Sequence, residues 1–192
     1  MLGELKNGRQ IIIAANKSTV YALDPDQEGK IIWQNRIGKC RSGGIMWGAA
    51  VDGETVYAAN QSFDAKNPDV SGGISAFDIR SGNAIWSAPP PPCENKTPCR
   101  PSHSAAVTVI PGILFSGTWD GRLQAISTQD GKVVWEYDTS KEFQTVNGVK
   151  ANGGSMSNAG PTVVGGVVFV NSGYSRHGGI TPGNVLLAFS VE

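Results

Sequence analysis

The sequence predicts an all-β fold of the propeller type, built from repeated four-stranded units. Three observations predict it. The first is internal repetition. Tyr21-Ala-Leu-Asp with Gly29-Lys-Ile-Ile-Trp33, Ser75-Ala-Phe-Asp with Gly82-Asn-Ala-Ile-Trp86, and Gln124-Ala-Ile-Ser with Gly131-Lys-Val-Val-Trp135 share one pattern. Each has an alanine, then Asp or Ser two residues on, then a polar turn and Gly-x-x-x-Trp. The tryptophans recur about fifty residues apart, a period that marks a repeat architecture. The second observation is period-two alternation in short runs bounded by Gly, Pro, Asn and Asp. The third is that no segment sustains a helical period.

Taken in order, Gln10 to Ala15 follows shortly after residue 1 and lies mid-blade in the first unit. Thr19-Val-Tyr-Ala-Leu alternates and is β-branched or aromatic, so it reads as a strand. Asp24-Pro25-Asp26 is a turn, and Lys30-Ile-Ile-Trp33 the next strand. In the second unit, Ala50-Val51 and Thr55-Val-Tyr-Ala-Ala59 flank Asp52-Gly53, a hairpin signal. The third repeats this with Val107 to Ile110, Pro111-Gly112 and Ile113 to Ser116. The fourth has Thr162 to Val164, Gly165-Gly166 and Val167 to Asn171. Its Leu187-Ala-Phe-Ser190 matches only the first half of the motif.

Four short strands per unit make a propeller blade. The blades fall at about 1–38, 39–88, 102–138 and 153–192, one partial propeller over 1–192. The first lacks its innermost strand in this reading. Propellers close as rings of typically four to eight blades. The chain therefore reads as the C-terminal part of a longer one. A four-bladed ring closed by the tail is the alternative. The docking tryptophans should lie flat between blades, with Trp86 contributing more than Trp33 because Trp86 has intact blades on both sides while the first blade lacks its inner strand.

Composition agrees. There are 25 glycines and 11 prolines in 192 residues, and 17% of residues are charged. The formal net charge is zero, which leaves no electrostatic footprint for nucleic acid or an acidic membrane surface. No apolar run reaches the roughly 18 residues of a membrane span.

Cys93 and Cys99 lie in the loop Pro89-Pro-Pro-Pro-Cys-Glu-Asn-Lys-Thr-Pro-Cys-Arg-Pro101. Two cysteines in a proline-stiffened polar loop point to a disulfide and an oxidising compartment. A zinc pair is the rival, although no second Cys or His pair has metal spacing. Cys40 reads as a free loop thiol. No Cys-x-x-Cys-His is present, so this chain attaches no c-type haem.

Three loops immediately precede innermost strands: Gly43-Gly44-Ile-Met-Trp47, Ser102-His103-Ser104 and Gly153-Gly154-Ser-Met-Ser157. Innermost strands line the axis in one sense, so these loops should converge on one end of the channel. Paired glycines allow close backbone approach, and Trp47 offers a π-face. Ordinary packing between blades is the plainer reading of Trp47. Lys17, in the turn Ala15-Asn16-Lys17-Ser18, is either a site cation or a solvated turn lysine. Trp119 holds the matching place in the third blade, where packing is its plainer role. His103 could face the channel, but a surface histidine is the plainer reading, and His177 is far from it in sequence. Asp64, Asp69 and Asp120 sit in turn contexts beside Gly, Asn or Pro, and none is promoted to catalyst.

The repeated Ala-x-Asp…Gly-x-x-x-Trp unit resembles the tryptophan-docking motif of quinoprotein dehydrogenases, eight-bladed propellers that bind pyrroloquinoline quinone (PQQ). The resemblance is strongest to the polyvinyl alcohol dehydrogenase branch. It rests on Lys17-Ser-Thr-Val-Tyr-Ala-Leu-Asp-Pro, Ser42-Gly-Gly-Ile-Met-Trp-Gly48, Pro89-Pro-Pro-Pro-Cys, Phe143-Gln-Thr-Val-Asn-Gly-Val149 and Pro182-Gly-Asn-Val-Leu-Leu-Ala-Phe-Ser190. It implies about four blades of an eight-bladed ring, with Lys17, Gly44 and Trp47 beside PQQ. The family's loop has Asn where Met46 stands here, which removes an amide hydrogen bond. The resemblance also implies a Ca²⁺ ion and an aspartate base from segments upstream of this chain. Catalytic residues within it are therefore not assigned. The implied activity is oxidation of a secondary or polymeric alcohol, with electrons passed to a cytochrome c. The implied location is the bacterial periplasm or the medium. The other function class is a non-catalytic repeat propeller acting as a protein-binding scaffold, since assembly scaffolds share the docking motif.

Overall fold

Glycine-centred turns cut β-branched runs into short antiparallel strands. Gly53, Gly112 and Gly166 hold φ of 55°, 84° and 79° at hairpin tips, backbone that costs a residue with a β-carbon. The computed structural model describes residues 1–38, 44–61, 72–92, 101–174 and 181–191.

The first sheet is β1 (Leu2–Glu4), β2 (Gln10–Asn16), β3 (Thr19–Asp24) and β4 (Lys30–Arg36). The second is β5 (Ala50–Asp52), β6 (Thr55–Ala59), β7 (Ile74–Asp78) and β8 (Ala84–Ala88). The third is β9 (Thr108–Ile110), β10 (Ile113–Gly117), β11 (Arg122–Ser127) and β12 (Val133–Asp138). A separate hairpin pairs β13 (Glu142–Gln144) with β14 (Lys150–Asn152). The fourth sheet is β15 (Thr162–Val164), β16 (Val167–Ser172) and β17 (Val185–Ser190). All pairings are antiparallel between sequential strands, the order of a propeller blade. The one helical segment among the described residues is a 3-10 turn at Pro25–Gln27, capped by the Asp24 carboxylate on the Asp26 amide.

The sheets pack face to face through apolar clusters. Ile11, Ile13, Val20 and Ala22 of the first meet Val56, Ala58 and Phe77 of the second. Tyr57, Ala59, Ile74 and Ala76 of the second meet Leu114 and Ile126 of the third. Leu123 of the third meets Met156 and Val170, with Leu187 and Phe189 packed against them. Strand β9 touches both β5 and β15, so these innermost strands gather at the axis. The sheets do not close a ring.

The repeat motif builds these junctions. Ala22, Ala76 and Ala125 each pair across the sheet with Trp33, Trp86 and Trp135, and a bulge follows each pair at once. Trp33 then crosses to the next sheet, where its Nε1 donates to the Ile79 carbonyl at 2.7 Å. Trp86 donates likewise to Thr128 at 2.9 Å. Each indole lies on the motif glycine of the following sheet: a β-carbon on Gly82 or Gly131 would stand 2.6 Å from the Trp33 or Trp86 ring. The motif glycine therefore serves its own turn and its neighbour's tryptophan.

Two elements differ from the sequence reading. The first sheet does not lack its inner strand, because β1 fills it. Leu2-Gly-Glu has no β-branched residue to signal a strand, yet Met1 and Ile13 exchange hydrogen bonds of 2.8 and 2.9 Å that fix it. The β13–β14 hairpin also carries no alternation. Its turn closes through the Gly148 amide on the Thr145 carbonyl at 3.0 Å.

Candidate functional site

The three loops that precede β5, β9 and β15 meet at one end of the sheets and are joined by hydrogen bonds. Gly44 accepts from the Gln61 amide at 2.8 Å, and Gln61 accepts through Oε1 from Ser104 at 3.1 Å. Ser102 accepts from the Trp119 amide at 3.1 Å, and the Trp119 carbonyl accepts from the Ser155 hydroxyl. One path thus runs from the first loop through the second to the third.

The first loop presents the sequence-predicted site residues. Ile45 is buried in the junction between the first two sheets. Its amide donates to the Lys17 carbonyl, and the two residues form an isolated antiparallel bridge. Lys17 holds a positive φ of 52°, Gly44 one of 115°. A β-carbon on Gly44 would stand 2.3 Å from the Lys17 carbonyl oxygen, so the glycine is explained by contact with the chain itself. Beyond the anchor, Met46 and Trp47 are 48% and 54% exposed. Lys17 is also exposed. Lys17 and Trp47 are thus both exposed next to the buried Ile45, one across the backbone bridge and the other two residues along the loop.

The second loop is buried. His103 is 2% exposed, against the expectation of a surface side chain. Its Nδ1 lies 2.8 Å from the Ser116 hydroxyl. Burial, and then the Arg122 charge, hold its pKa down at about 4. Ser102 and Ser104 are likewise buried.

In the third sheet, the Met156 amide donates to Thr118 at 3.0 Å, the counterpart of Ile45 on Lys17. Thr118, rather than Trp119, therefore occupies the Lys17 register, because this turn is longer by two residues. Asp120 is bound to Arg122 through Nε at 3.0 Å and an amino nitrogen at 2.8 Å, and accepts from Thr118 at 2.5 Å. Its carboxylate is structural. This buried pair escaped sequence reading, although Asp-Gly-Arg in a tight turn carries it.

Cys40, Cys93, Cys99, Asp64, Asp69 and His177 lie outside the described residues. Among the described residues, no group of three or more His, Cys, Asp or Glu side chains could hold a metal ion. No described helix is long and apolar enough to cross a membrane.

The family model described as outer membrane protein assembly factor BamB matches residues 70–192. A polyvinylalcohol dehydrogenase from a Pseudomonas species is 42% identical over 205 aligned residues, covering 100% of this chain and 32% of the relative. A 1-butanol dehydrogenase (cytochrome c) from Thauera butanivorans is 40% identical over 68 residues, 34% of this chain and 10% of the relative. Among solved structures, BamB from Moraxella catarrhalis superposes with a TM-score of 0.63 at 19% identity, over 99% of this chain and 49% of that chain. The chain spans about a third of the length of the polyvinylalcohol dehydrogenase it matches.

Proposed function

The chain belongs to the family described as outer membrane protein assembly factor BamB, and from that premise we propose that it is part of a PQQ-dependent alcohol dehydrogenase. The observation that carries this reading is the 42% identity to a polyvinylalcohol dehydrogenase along the whole chain. The substrate class proposed is a secondary or polymeric alcohol. The acceptor proposed is a cytochrome c, in line with the name of the Thauera relative. The compartment proposed is the bacterial periplasm or the medium.

The exposed residues of the first loop suit a planar quinone. Trp47 would stack on its face and keep water from it. Lys17 would donate to a quinone oxygen and offset negative charge that develops there. Gly44 would hold the loop seated on Lys17, so that the two groups keep a fixed spacing. PQQ, when bound, supplies a two-electron acceptor for the alcohol. The Ca²⁺ ligands and the aspartate base are proposed to come from residues outside this chain. A disulfide between Cys93 and Cys99 belongs to the same reading.

A scaffold is the second reading, favoured by the family's own description. Titration with PQQ and Ca²⁺ separates the two. The native protein that carries this chain should show a saturable ultraviolet absorbance change and dye-coupled oxidation of polyvinyl alcohol. This chain by itself should show neither tight binding nor turnover. A native protein that binds no PQQ would leave the scaffold.

A further inference from the structure

We propose that His103 and Ser116 form a positioning pair for the first loop, acting on Lys17 and Trp47 through Ser104, Gln61 and Gly44. This rests on the reading of that loop as a cofactor site. The pair stands at a place that each junction inside the chain repeats. The carbonyls of Gly44, Ser102 and Ser155 accept from the Gln61, Trp119 and Gly173 amides, each just beyond the second strand of its own sheet. The next residue in each loop bonds back to the preceding sheet: Ile45 to Lys17, His103 to Gly72 at 3.4 Å, and Met156 to Thr118 at 3.0 Å. Ile45, His103 and Met156 therefore hold one repeat position, and all three are buried.

Strand register aligns a second position. Tyr57, Phe115 and Phe169 pair with the inner strands at Ala50, Thr108 and Thr162, so the residues that follow them, Ala58, Ser116 and Val170, are counterparts. Ile45 and Ala58 belong to one apolar cluster, and Met156 and Val170 to another. In the third sheet the same two places carry His103 and Ser116, joined from Nδ1 to the hydroxyl at 2.8 Å. Ser116 is 0% exposed, and the apolar cluster between the second and third sheets includes neither residue.

A polar pair in an apolar place has a physical consequence. Taking an imidazole and a hydroxyl out of water is unfavourable, and the bond between them only offsets that loss. An apolar contact has no direction. This bond does have one: it fixes how the imidazole is turned and so how the second loop lies. Folds depart from their own local rules chiefly at functional sites.

From the second loop the constraint reaches the first through buried groups. Ser104, next in sequence to His103, donates to Gln61 Oε1 at 3.1 Å. The Gln61 amide donates to Gly44 at 2.8 Å, and Gly44 rests on the Lys17 carbonyl. Ser104 and Gln61 are 3% and 8% exposed, so these bonds are shielded from water. Gln61 is the joint: its backbone holds the first loop and its side chain holds the second. His103 acts through these residues on the exposed Lys17 and Trp47, which makes it a positioning residue.

The test gives the third sheet the apolar pair of the second: His103→Ile with Ser116→Ala, in the native protein that carries this chain. Replacing both partners by apolar groups should leave the melting temperature at or above wild type. Hydrogen exchange measured by mass spectrometry without PQQ should nevertheless rise in peptides covering residues 44–48 and stay at the wild-type rate in β4 and β8. PQQ affinity should fall by about 2- to 30-fold, the range for residues that act on a site through others. His103→Asn, whose side-chain amide can bond to Ser116 in place of Nδ1, should keep both readouts near wild type. Gln61→Met cuts the path at its joint and should add nothing to the double variant. Where the double variant melts below wild type, Gln61→Met alone decides by the same readouts. Unchanged exchange at residues 44–48 overturns the proposal, and so do additive effects of the two changes, since the residues then act separately. Raised exchange with PQQ affinity at wild type overturns the pair's role in the site. Raised exchange in a native protein that binds no PQQ upholds the pairing and overturns only the cofactor reading.

Discussion

Gly44 rests directly on the backbone of Lys17: a β-carbon at Gly44 would stand 2.3 Å from the Lys17 carbonyl oxygen and 2.9 Å from its Cα. Neither residue can shift alone, since Ile45 bonds to the same carbonyl and is itself buried. Gly44→Ala must therefore displace backbone and also place a β-carbon at a φ of 115°. We expect it to cost at least about 1–3 kcal/mol, the scale of such backbone strain. Urea unfolding measures this. A change within about 0.5 kcal/mol, typical of an unconstrained surface site, would show that the loop is not seated as described.

The docking tryptophans should rank by how fully the next sheet covers them. Trp33 is 9% exposed and hydrogen-bonded, whereas Trp135 is 38% exposed and makes an edge contact with Phe189 at 5.3 Å. Trp33→Ala should cost about 3–5 kcal/mol, and Trp135→Ala well under that. The sequence expectation that Trp86 outweighs Trp33 loses its basis, because β1 completes the first sheet and Trp86 is the less buried of the two. Thermal melts of the three variants give the order directly.

These comparisons show how far the chain could be read from its residues. The Ala…Gly-x-x-x-Trp register was legible because every part of it acts locally: the alanine faces the tryptophan, and the glycine makes its turn. That Gly82 and Gly131 also cradle the preceding sheet's tryptophan was not legible, since the contact spans 49 and 45 residues of sequence. Lys17 and Trp47 were singled out by their loops and by resemblance, and the Lys17–Ile45 bridge ties the turn that carries the one to the loop that carries the other. His103 was misjudged as a surface residue because polar Ser102 and Ser104 flank it, yet all three are inside the fold. Serine and threonine bond readily to backbone, so a polar loop can be buried once its partners come from other sheets.

His103 should make the fold sensitive to acid. Burial and the Arg122 charge lower its pKa from 6.5 to about 4. The unfolded chain accordingly binds a proton that the folded chain refuses. The sign follows: this contribution is fully present above pH 6.5, falls as pH drops from 6.5 towards 4, and levels off below. The slope should approach about 1.4 kcal/mol per pH unit. His103→Gln should flatten the pH dependence of the urea midpoint in that window. An unchanged slope would assign the acid sensitivity to other groups.

Asp120 and Arg122 should behave as a unit. Their side chains are 1% and 5% exposed, so removing one leaves the other's charge buried. Arg122→Met should cost about 3–5 kcal/mol, the scale for breaking a buried pair. Adding Asp120→Leu should recover a large part of that loss, because the stranded carboxylate is gone. Equal losses for the single and double variants would mean that packing around the Arg122 stem, rather than charge, sets the effect.

Trp47 should separate from the docking tryptophan Trp33. At 54% exposed, outside the buried clusters and next to the Ile45 anchor, its indole contributes little to the junctions. Trp47→Ala should therefore leave the melting temperature near wild type, while Trp33→Ala lowers it sharply. In the native PQQ-loaded protein the ranking should invert: Trp47→Ala weakens cofactor binding, and Lys17→Ala does so by removing the cation beside the quinone. Lys17→Arg should retain much of the affinity, since charge and donor persist. Gly44→Ala should weaken binding only together with stability, because it acts by unseating the loop. Melting curves with and without PQQ, run beside a PQQ titration, resolve all four variants. If Trp47→Ala destabilises the protein as severely as Trp33→Ala and leaves PQQ affinity unchanged, Trp47 is a packing residue and the site lies elsewhere.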